Sequence, residues 1–276
     1  MGKSANTKTG TLGLGTKLGF GAADLGGNLF FTAMGFWTLN FLTDTVGLSA
    51  AAAGAAVMIG KLWDAVTDPM MGYISDRTRS RWGRRRPYLL FGAIPLALTM
   101  WFFFTNPKIE SPALLAVWAA AALCFLNTAY TVVNIPYSSL TPELTKDYHE
   151  RSSLNGFRFG FAVIGTILGA GAVLPLVGIF GSDRSAGFSF MGAVLGAVMA
   201  ASTLVTFFAV KEPDHSHEPR PTEKFLPTFL AVFRNKPYVI VLLTYSLNRT
   251  ALNVVQGILV YYFKYVFNDQ QLITPA

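Results

Sequence analysis

The sequence predicts an all-α, polytopic membrane protein, and three features support that prediction. Hydrophobic residues make up 52% of the 276 residues and charged residues only 13%, whereas soluble domains carry about 25% charged residues. The mean hydropathy is positive, at +0.42. Several stretches also reach the length of about 20 mostly apolar residues that a helix needs to cross a bilayer. This composition excludes a disordered chain, a disulfide scaffold and an ordinary cytosolic enzyme.

The apolar stretches define seven predicted spans separated by polar loops without strand alternation. The tail at 1–16 is polar and lacks the apolar core of a signal peptide, so we expect the first span to remain as an anchor. The predicted spans are residues 19–42, 50–75, 88–105, 113–138, 157–180, 187–210 and 237–267.

Basic residues predict the orientation of these spans. With the N-terminus inside, most of the 22 lysines and arginines fall on the cytoplasmic side. Six arginines lie in the loop between the second and third spans alone. Short basic loops resist translocation, so we expect a cytoplasmic N-terminus. The basic surplus then faces anionic membrane lipid, and we expect no nucleic-acid partner.

The segment 211–236 differs from the other loops because it is long, charged and rich in proline. Its second half places apolar residues at helical spacing, which predicts a short amphipathic helix on the cytoplasmic surface. A zinc site at His215 and His217 is conceivable, but a solvated loop is favoured. The single cysteine, Cys124, excludes an intrachain disulfide and a cysteine-cluster metal site.

The order of spans and linker predicts the domain organisation. We expect a cytoplasmic tail at 1–16, a six-helix transmembrane bundle at 17–210 and a linker at 211–236. The region 237–276 is then the first helix of a second bundle. Seven spans followed by a short polar tail are typical of a fragment of a longer chain, and we expect one here.

Ionisable residues within the second span are the strongest functional signal. Each costs roughly 2.5 to 3.5 kcal/mol to insert at the bilayer centre. Lys61, Asp64 and Asp68 follow spacings of three and four, which place them on one helical face. The two carboxylates are then about 6 Å apart along the axis, close enough to bind one small cation or to share a proton. A purely structural pair between Lys61 and Asp64 remains the alternative.

Other polar residues at membrane depth predict an aqueous cavity between the helices. For Asn28 alone, a simple interhelical hydrogen bond is an equal alternative. Arg158 opens the fifth predicted span, and Arg249 lies in the middle of the seventh without an assigned role. The remaining polar positions are Asp24 in the first span and the stripe of Asn127, Thr131, Asn134 and Ser138 in the fourth.

One stretch is more specific than composition. WDAVTDPMMGYISDRTRSRWGRRRPYLLFG, residues 63–92, resembles the signature of the glycoside–pentoside–hexuronide:cation symporters of the major facilitator superfamily. Gly72, Asp76 and Arg77 match the G-x-x-x-D-R loop of that superfamily. Further similar segments, in the same order, are FLTDTVGLS at 41–49, NIPYSSLTPELT at 134–145, ERSSLN with RFGF at 150–161, and YYFKYVF at 261–267.

The resemblance implies a fold and an ion site. The expected fold is a major facilitator-like six-helix bundle plus one helix of the second bundle, with the substrate site between the bundles. The expected activity is symport by alternating access in a bacterial inner membrane, with the full-length protein a monomer. The cation site maps onto Asp64, Asp68 and Thr131, with Thr67 where the family often has asparagine.

The resemblance also implies substrate positions. Asn28, Asn134, Ser138 and Arg158 match sugar-binding positions of the family, and only the arginine is kept, because two aspartates and a tryptophan are replaced. Asp24 is expected to join them. These changes make a galactoside doubtful, whereas another sugar or glycoside, including a hexuronide, fits. A lysolipid or an organic anion is the alternative small-molecule substrate.

The arginine-rich loop between the second and third spans is predicted to form ion pairs. We expect Arg84 and Arg85 to pair with Asp76 and Glu143 as a cytoplasmic latch together with Gly72 and Arg77, although a purely topological role is compatible. No cofactor is expected beyond a coupling ion, Na⁺ or H⁺. A membrane enzyme is disfavoured because no nucleophile–base pair lies at depth, and a seven-helix receptor or interaction module leaves the acid pair unexplained.

Overall fold

A computed structural model describes residues 12–212, 227, 229, 231 and 233–266, and its regular structure is helical throughout that part of the chain. The all-α prediction is confirmed. A π-helical turn, Phe41–Thr45, extends the first helix. The helices are α1 Leu14–Asn40, α2 Ala50–Arg77, α3 Arg86–Phe103, α4 Pro112–Leu144, α5 Tyr148–Gly171, α6 Val173–Gly178, α7 Arg184–Ala209 and α8 Lys236–Tyr265.

Among the residues that the structure describes, five segments are long and apolar enough to cross a membrane: α3, α4, α5 together with α6, α7 and α8. The helices α1 and α2 have 27 and 28 residues, respectively, but they fall short in apolarity. Each of the seven predicted spans therefore corresponds to a helical segment, and two of these segments are more polar than expected. Charged side chains lower the apolarity of these two helices, since α1 carries Asp24 and α2 carries Lys61, Asp64 and Asp68.

Helix boundaries differ from the predicted spans where capping and proline act. The helix α4 continues through Pro136 and Pro142 to Leu144, well beyond the predicted end of the fourth span. The side chain of Asp147 accepts a hydrogen bond from the backbone N–H of Glu150 at 2.8 Å, which caps the start of α5. Arg158 therefore lies inside α5 rather than at the start of a span.

Glycine residues allow α1 to pack closely against α5, and α3 against α7. A Cβ added to Gly165 of α5 would collide with the carbonyl oxygen of Leu25 in α1. A Cβ added to Gly196 of α7 would lie 2.7 Å from the carbonyl oxygen of Ala97 in α3. Small residues at helix contacts let backbones approach in membranes, where helix association depends on packing.

An aromatic cluster holds the end of α1 against α3 and α7. The ring of Phe41, in the π-helical turn, lies 5.2 Å from the rings of Phe104 and Phe188, centroid to centroid. Phe103 packs on the same ring at 5.8 Å. All four side chains are fully buried. This cluster fixes one end of the bundle.

Large apolar side chains remain exposed on the outer helix faces, among them Val66, Ile94, Phe125 and Phe159. Exposure on this scale is unusual for a soluble protein and suits contact with lipid. The predicted amphipathic helix falls mainly outside the described residues, and His215 and His217 lie entirely outside them. The domain boundaries remain predictions.

Candidate functional site

The two acids of α2 face two polar side chains of α4. The hydroxyl of Thr131 donates to Asp68 Oδ1 at 2.7 Å. The amide of Asn127 donates to Asp64 Oδ2 at 3.2 Å and to the carbonyl oxygen of Gly60, also at 3.2 Å. Both pairs have a spacing of four residues, so one turn of α2 matches one turn of α4. The sequence indicated the polar stripe but did not assign Asn127 to the ion site.

Asp64 retains an unused acceptor. Its Oδ1 atom is buried and accepts no hydrogen bond from the residues that the structure describes. Its other oxygen is 3.5 Å from the ammonium nitrogen of Lys61. A buried acceptor without a donor is costly, so the geometry favours a positive ligand at this oxygen.

Thr67 lies apart from these contacts. Its hydroxyl donates to the carbonyl oxygen of Trp63 at 3.1 Å, and the indole N–H of Trp63 donates to the hydroxyl of Thr128 at 2.8 Å. The structure therefore brings Asp64, Asp68 and Thr131 together, whereas the Thr67 hydroxyl is engaged with its own helix.

A second polar cluster joins α1, α4 and α5. The guanidinium of Arg158 donates to both oxygens of Asp24, from Nε at 2.6 Å and from Nη2 at 3.1 Å. The hydroxyl of Tyr137 also lies against Asp24 Oδ2, at 2.5 Å, and Thr141 accepts from Arg158 Nη1 at 2.9 Å. Bidentate carboxylate–guanidinium pairs are strong and directional. Sequence reasoning missed Tyr137 and Thr141, and only the polarity of α4 pointed to them.

Asn28 forms a hydrogen bond within its own helix. Its amide donates to the backbone oxygen of Asp24 at 2.9 Å, within α1, and Asp24 is the residue that reaches Arg158. The carboxylate in this cluster is therefore that of Asp24, and a substrate role for Asn28 stays a prediction. Ser138 donates to the carbonyl oxygen of Asn134 at 2.6 Å, and the Asn134 amide has no hydrogen-bond partner among the described residues.

A cavity of about 180 Å³ lies between α1, α2, α4 and α8, and most of the residues that line it are apolar. Its lining includes the aromatic rings of Phe30 and Phe31 together with Lys61, Asn127 and Asn253. Because Asn127 also contacts Asp64, the cavity adjoins the acid pair.

Arg249, on α8, contacts a neighbour on its own helix. Its Nε donates to the Tyr245 hydroxyl at 3.0 Å, and its guanidinium carbon lies 5.5 Å from the centre of the Tyr245 ring. This pair accounts for one donor of an arginine to which the sequence gave no role.

The loop between α2 and α3 forms the ion pairs expected of it. Arg85 Nη2 lies 2.7 Å from Asp76 Oδ1, and Arg85 Nη1 lies 3.0 Å from Glu143 Oε1. Arg84 Nη2 lies 2.6 Å from the same glutamate oxygen. The guanidinium carbon of Arg77 lies 3.4 Å from the centre of the Tyr73 ring. These contacts join α2, α3 and α4.

Gly72 lies at the contact between α2 and α4, but the packing there does not require a glycine. A Cβ at this position would lie 3.8 Å from the Ile135 side chain, which is ordinary van der Waals distance. Its place in the loop motif therefore has no steric cause in this structure.

Glu212 adds a contact that the sequence did not reveal. Its carboxylate accepts backbone hydrogen bonds from Arg84 and Arg85 at 2.9 Å each, and from Arg86 at 3.2 Å. These N–H groups stand at the start of α3, where they lack intrahelical acceptors and attract negative charge. The segment after α7 is thereby tied to the arginine-rich loop.

Comparison with known proteins decides the family. The sequence matches the MFS/sugar transport protein family over residues 19–275. This chain belongs to that family. MFS/sugar transport proteins are transporters rather than enzymes, and the resemblance to glycoside–pentoside–hexuronide symporters, with its all-α membrane fold, is confirmed.

Curated relatives in the MFS/sugar transport family are similar along most of this chain. It is 32% identical to the Inner membrane symporter YicJ of Escherichia coli over 96% of its length and 57% of the relative. It is 34% identical to the Putative glycoside/cation symporter YagG of Escherichia coli, over 94% of this chain and 56% of YagG. It is 32% identical to the Isoprimeverose transporter of Lactiplantibacillus pentosus, over 93% and 54%. The chain thus spans little more than half the length of these relatives.

Proposed function

We propose that this protein takes part in the symport of a sugar or glycoside with a monovalent cation by alternating access. Relatives named as a glycoside/cation symporter and an isoprimeverose transporter support this proposal. The observation that carries it is the acid pair of α2. Asp64 and Asp68 are each hydrogen-bonded to α4, and Asp64 Oδ1 has no donor within the described part of the chain.

The acid pair supplies oxygen ligands for the coupling ion. Asp64 Oδ1 and the second oxygen of Asp68 are carboxylate acceptors, and the hydroxyl of Thr131 has lone pairs left after donating to Asp68. Intramembrane carboxylates mark ion and proton pathways. The ion is Na⁺ or H⁺, and its charge offsets the repulsion between the two acids.

The cluster around Asp24 supplies the substrate contacts. A sugar hydroxyl both donates and accepts, so it can bind the carboxylate of Asp24 and the guanidinium of Arg158 together. The Asn134 amide adds a donor and an acceptor nearby on α4. The arginine also suits an acidic sugar such as a hexuronide. Substrate binding must compete with the existing pair between Asp24 and Arg158.

The helix α4 connects the two clusters. Thr131 binds the ion-site acid Asp68, and Tyr137 binds the substrate-site acid Asp24. These α4 residues are six positions apart, about 9 Å along the axis. A rigid helix that contacts both sites couples them, and linkage requires that substrate tighten cation binding by the same factor as the reverse.

The arginine-rich loop acts as a latch on the predicted cytoplasmic side in this proposal. Arg85 bridges Asp76 and Glu143, and thus the ends of α2 and α4. Ion pairs of this kind can exchange partners when the helices shift. With a cytoplasmic N-terminus, the latch closes the inner mouth of the cavity.

Gradient-driven uptake tests the proposal. Asp68→Asn keeps the size of the side chain and removes its charge, and we expect it to abolish cation-stimulated uptake of the best substrate from a panel of glycosides, hexuronides, lysolipids and organic anions. Glu110→Gln, which changes an exposed acid outside the helices, is the matched control and retains uptake. Unaltered uptake by Asp68→Asn contradicts the proposal.

A further inference from the structure

Lys61 is the cationic side chain nearest to the acid pair on α2. Its ammonium nitrogen lies 3.5 Å from Asp64 Oδ2, and its side chain is 57% exposed, against 23% for Asp64. The same carboxylate oxygen already accepts from Asn127. A long, mostly exposed contact of this kind is weak, so the lysine can leave Asp64 at little cost.

The elements packed against this site contribute neutral groups at the described contacts. The helix α4 contributes Asn127 and Thr131. Across the cavity, α1 contributes Thr38 and α8 contributes Asn253. Arg249, a basic residue in the middle of α8, donates a hydrogen bond to Tyr245 on its own helix.

Charge balance follows from these neighbours. With both acids ionised, two negative charges and the one positive charge of Lys61 leave the site with a net charge of −1. One monovalent cation therefore completes neutrality. A divalent cation brings one positive charge too many and is repelled by the lysine at short range.

The cavity can accommodate the Lys61 ammonium group when it leaves Asp64. Lys61 lines a space of about 180 Å³ that also presents the polar side chains of Thr38, Asn127 and Asn253. An ammonium group displaced from Asp64 can remain hydrated or bind carbonyl and hydroxyl oxygens there, because it has three donors to satisfy.

We propose that Lys61 is a resident counter-ion of the acid pair: it holds Asp64 while the site is empty, yields the carboxylate to a monovalent cation, and excludes divalent cations by its charge. This inference rests on the proposed function, because it takes Asp64 and Asp68 as the cation site. It adds a residue that determines selectivity and affinity without being a ligand.

Cation titrations of the purified protein test this inference. In Lys61→Gln the competing charge is gone, so we expect Na⁺ to bind about tenfold more tightly than in the unmodified protein. We also expect Lys61→Gln to bind Ca²⁺ at millimolar concentration, and we expect the unmodified protein to bind no Ca²⁺ at that concentration. Lys61→Arg keeps the charge and keeps the original selectivity. Thermal unfolding of each variant checks that it is folded.

The outcomes separate this inference from the proposed function. If the unmodified protein binds Na⁺ and Lys61→Gln shows the same Na⁺ affinity and still rejects Ca²⁺, the role of Lys61 is wrong while the cation site stands. If neither protein binds Na⁺ or Ca²⁺, and neither takes up or releases protons at the acid pair, both the inference and the proposed function are wrong. If protons alone bind and Lys61→Gln gains no Ca²⁺ binding, only the role of Lys61 is wrong. If Lys61→Gln gains Ca²⁺ binding and Lys61→Arg does not, the inference is supported whichever monovalent ion is coupled.

Discussion

Thr131 and Asp68 join α4 to α2 through a hydrogen bond of 2.7 Å between the threonine hydroxyl and a carboxylate oxygen. One turn away, Asn127 repeats the contact with Asp64 at 3.2 Å. Two acids are thus oriented by neutral donors, which hold the carboxylates in place without cancelling their charge.

Removing the Thr131 hydroxyl weakens the cation site. In Thr131→Val the shape is kept and the hydrogen bond to Asp68 is lost, and bonds to charged groups contribute about 1.5 to 3 kcal/mol. We expect cation affinity to fall by about tenfold or more. Thr128→Val, which removes the partner of Trp63 on the same helix, is the control. Calorimetric titration measures both, and equal affinities in the two variants would count against the role of Thr131.

Changing the geometry of Arg158 separates substrate binding from cation binding. Arg158→Lys retains the charge but cannot form the two-pronged contact with Asp24. We expect the apparent KM for substrate to rise about tenfold, because lysine cannot offer a substrate the two parallel donors of the guanidinium, while cation affinity without substrate stays unchanged. Uptake kinetics and cation titration give the two values. A loss confined to cation affinity would contradict the assignment of this cluster to the substrate.

The close contact of α1 and α5 makes Gly165 intolerant of a side chain. In Gly165→Ala the new methyl group collides with the carbonyl oxygen of Leu25, so the helices must separate, at a cost of about 1 to 3 kcal/mol. We expect Tm to fall by several degrees. Gly156→Ala on the same helix meets nothing within 4 Å and gains helix propensity. Thermal unfolding in detergent compares them, and equal Tm values would refute the packing account.

The contact between Glu212 and the start of α3 stabilises the loop. In Glu212→Ala the backbone N–H groups of Arg84, Arg85 and Arg86 lose their acceptor. By comparison with helix caps, the loss costs about 1 to 2 kcal/mol. Faster hydrogen exchange at the first turn of α3 reports the change, with Glu110→Gln as control. Unchanged exchange in that turn would show that the Glu212 carboxylate does not protect these N–H groups.

The contacts of the proposed cation site were largely predictable from the sequence because they depend on spacing within helices. Asp64 and Asp68 had to share a face of α2, and Thr131 lay on the polar stripe of α4. Helical periodicity states which residues of one helix lie together. It does not predict which residues of a second helix those residues contact. The contact between Asn127 and Asp64 was therefore not predicted.

The cluster of Asp24, Tyr137 and Arg158 shows where that reasoning fails. Asp24 and Asn28 are four residues apart on α1 and equally placed on its polar face. Packing of α1 against α5 decides that Asp24 reaches Arg158, and this packing depends on contacts such as that between Leu25 and Gly165. Glu212 was missed for a similar reason, because its partners lie more than a hundred positions earlier in the sequence.

The cation affinity of the acid pair is the most direct measure of this account. Titration of Na⁺, with protons released or taken up recorded in the same experiment, is to be compared between the unmodified protein, Asp64→Asn and Asp68→Asn. We expect saturable binding of one monovalent cation per chain in the unmodified protein and none in either variant. Equal binding in all three proteins would contradict the claim that these two carboxylates hold the coupling ion.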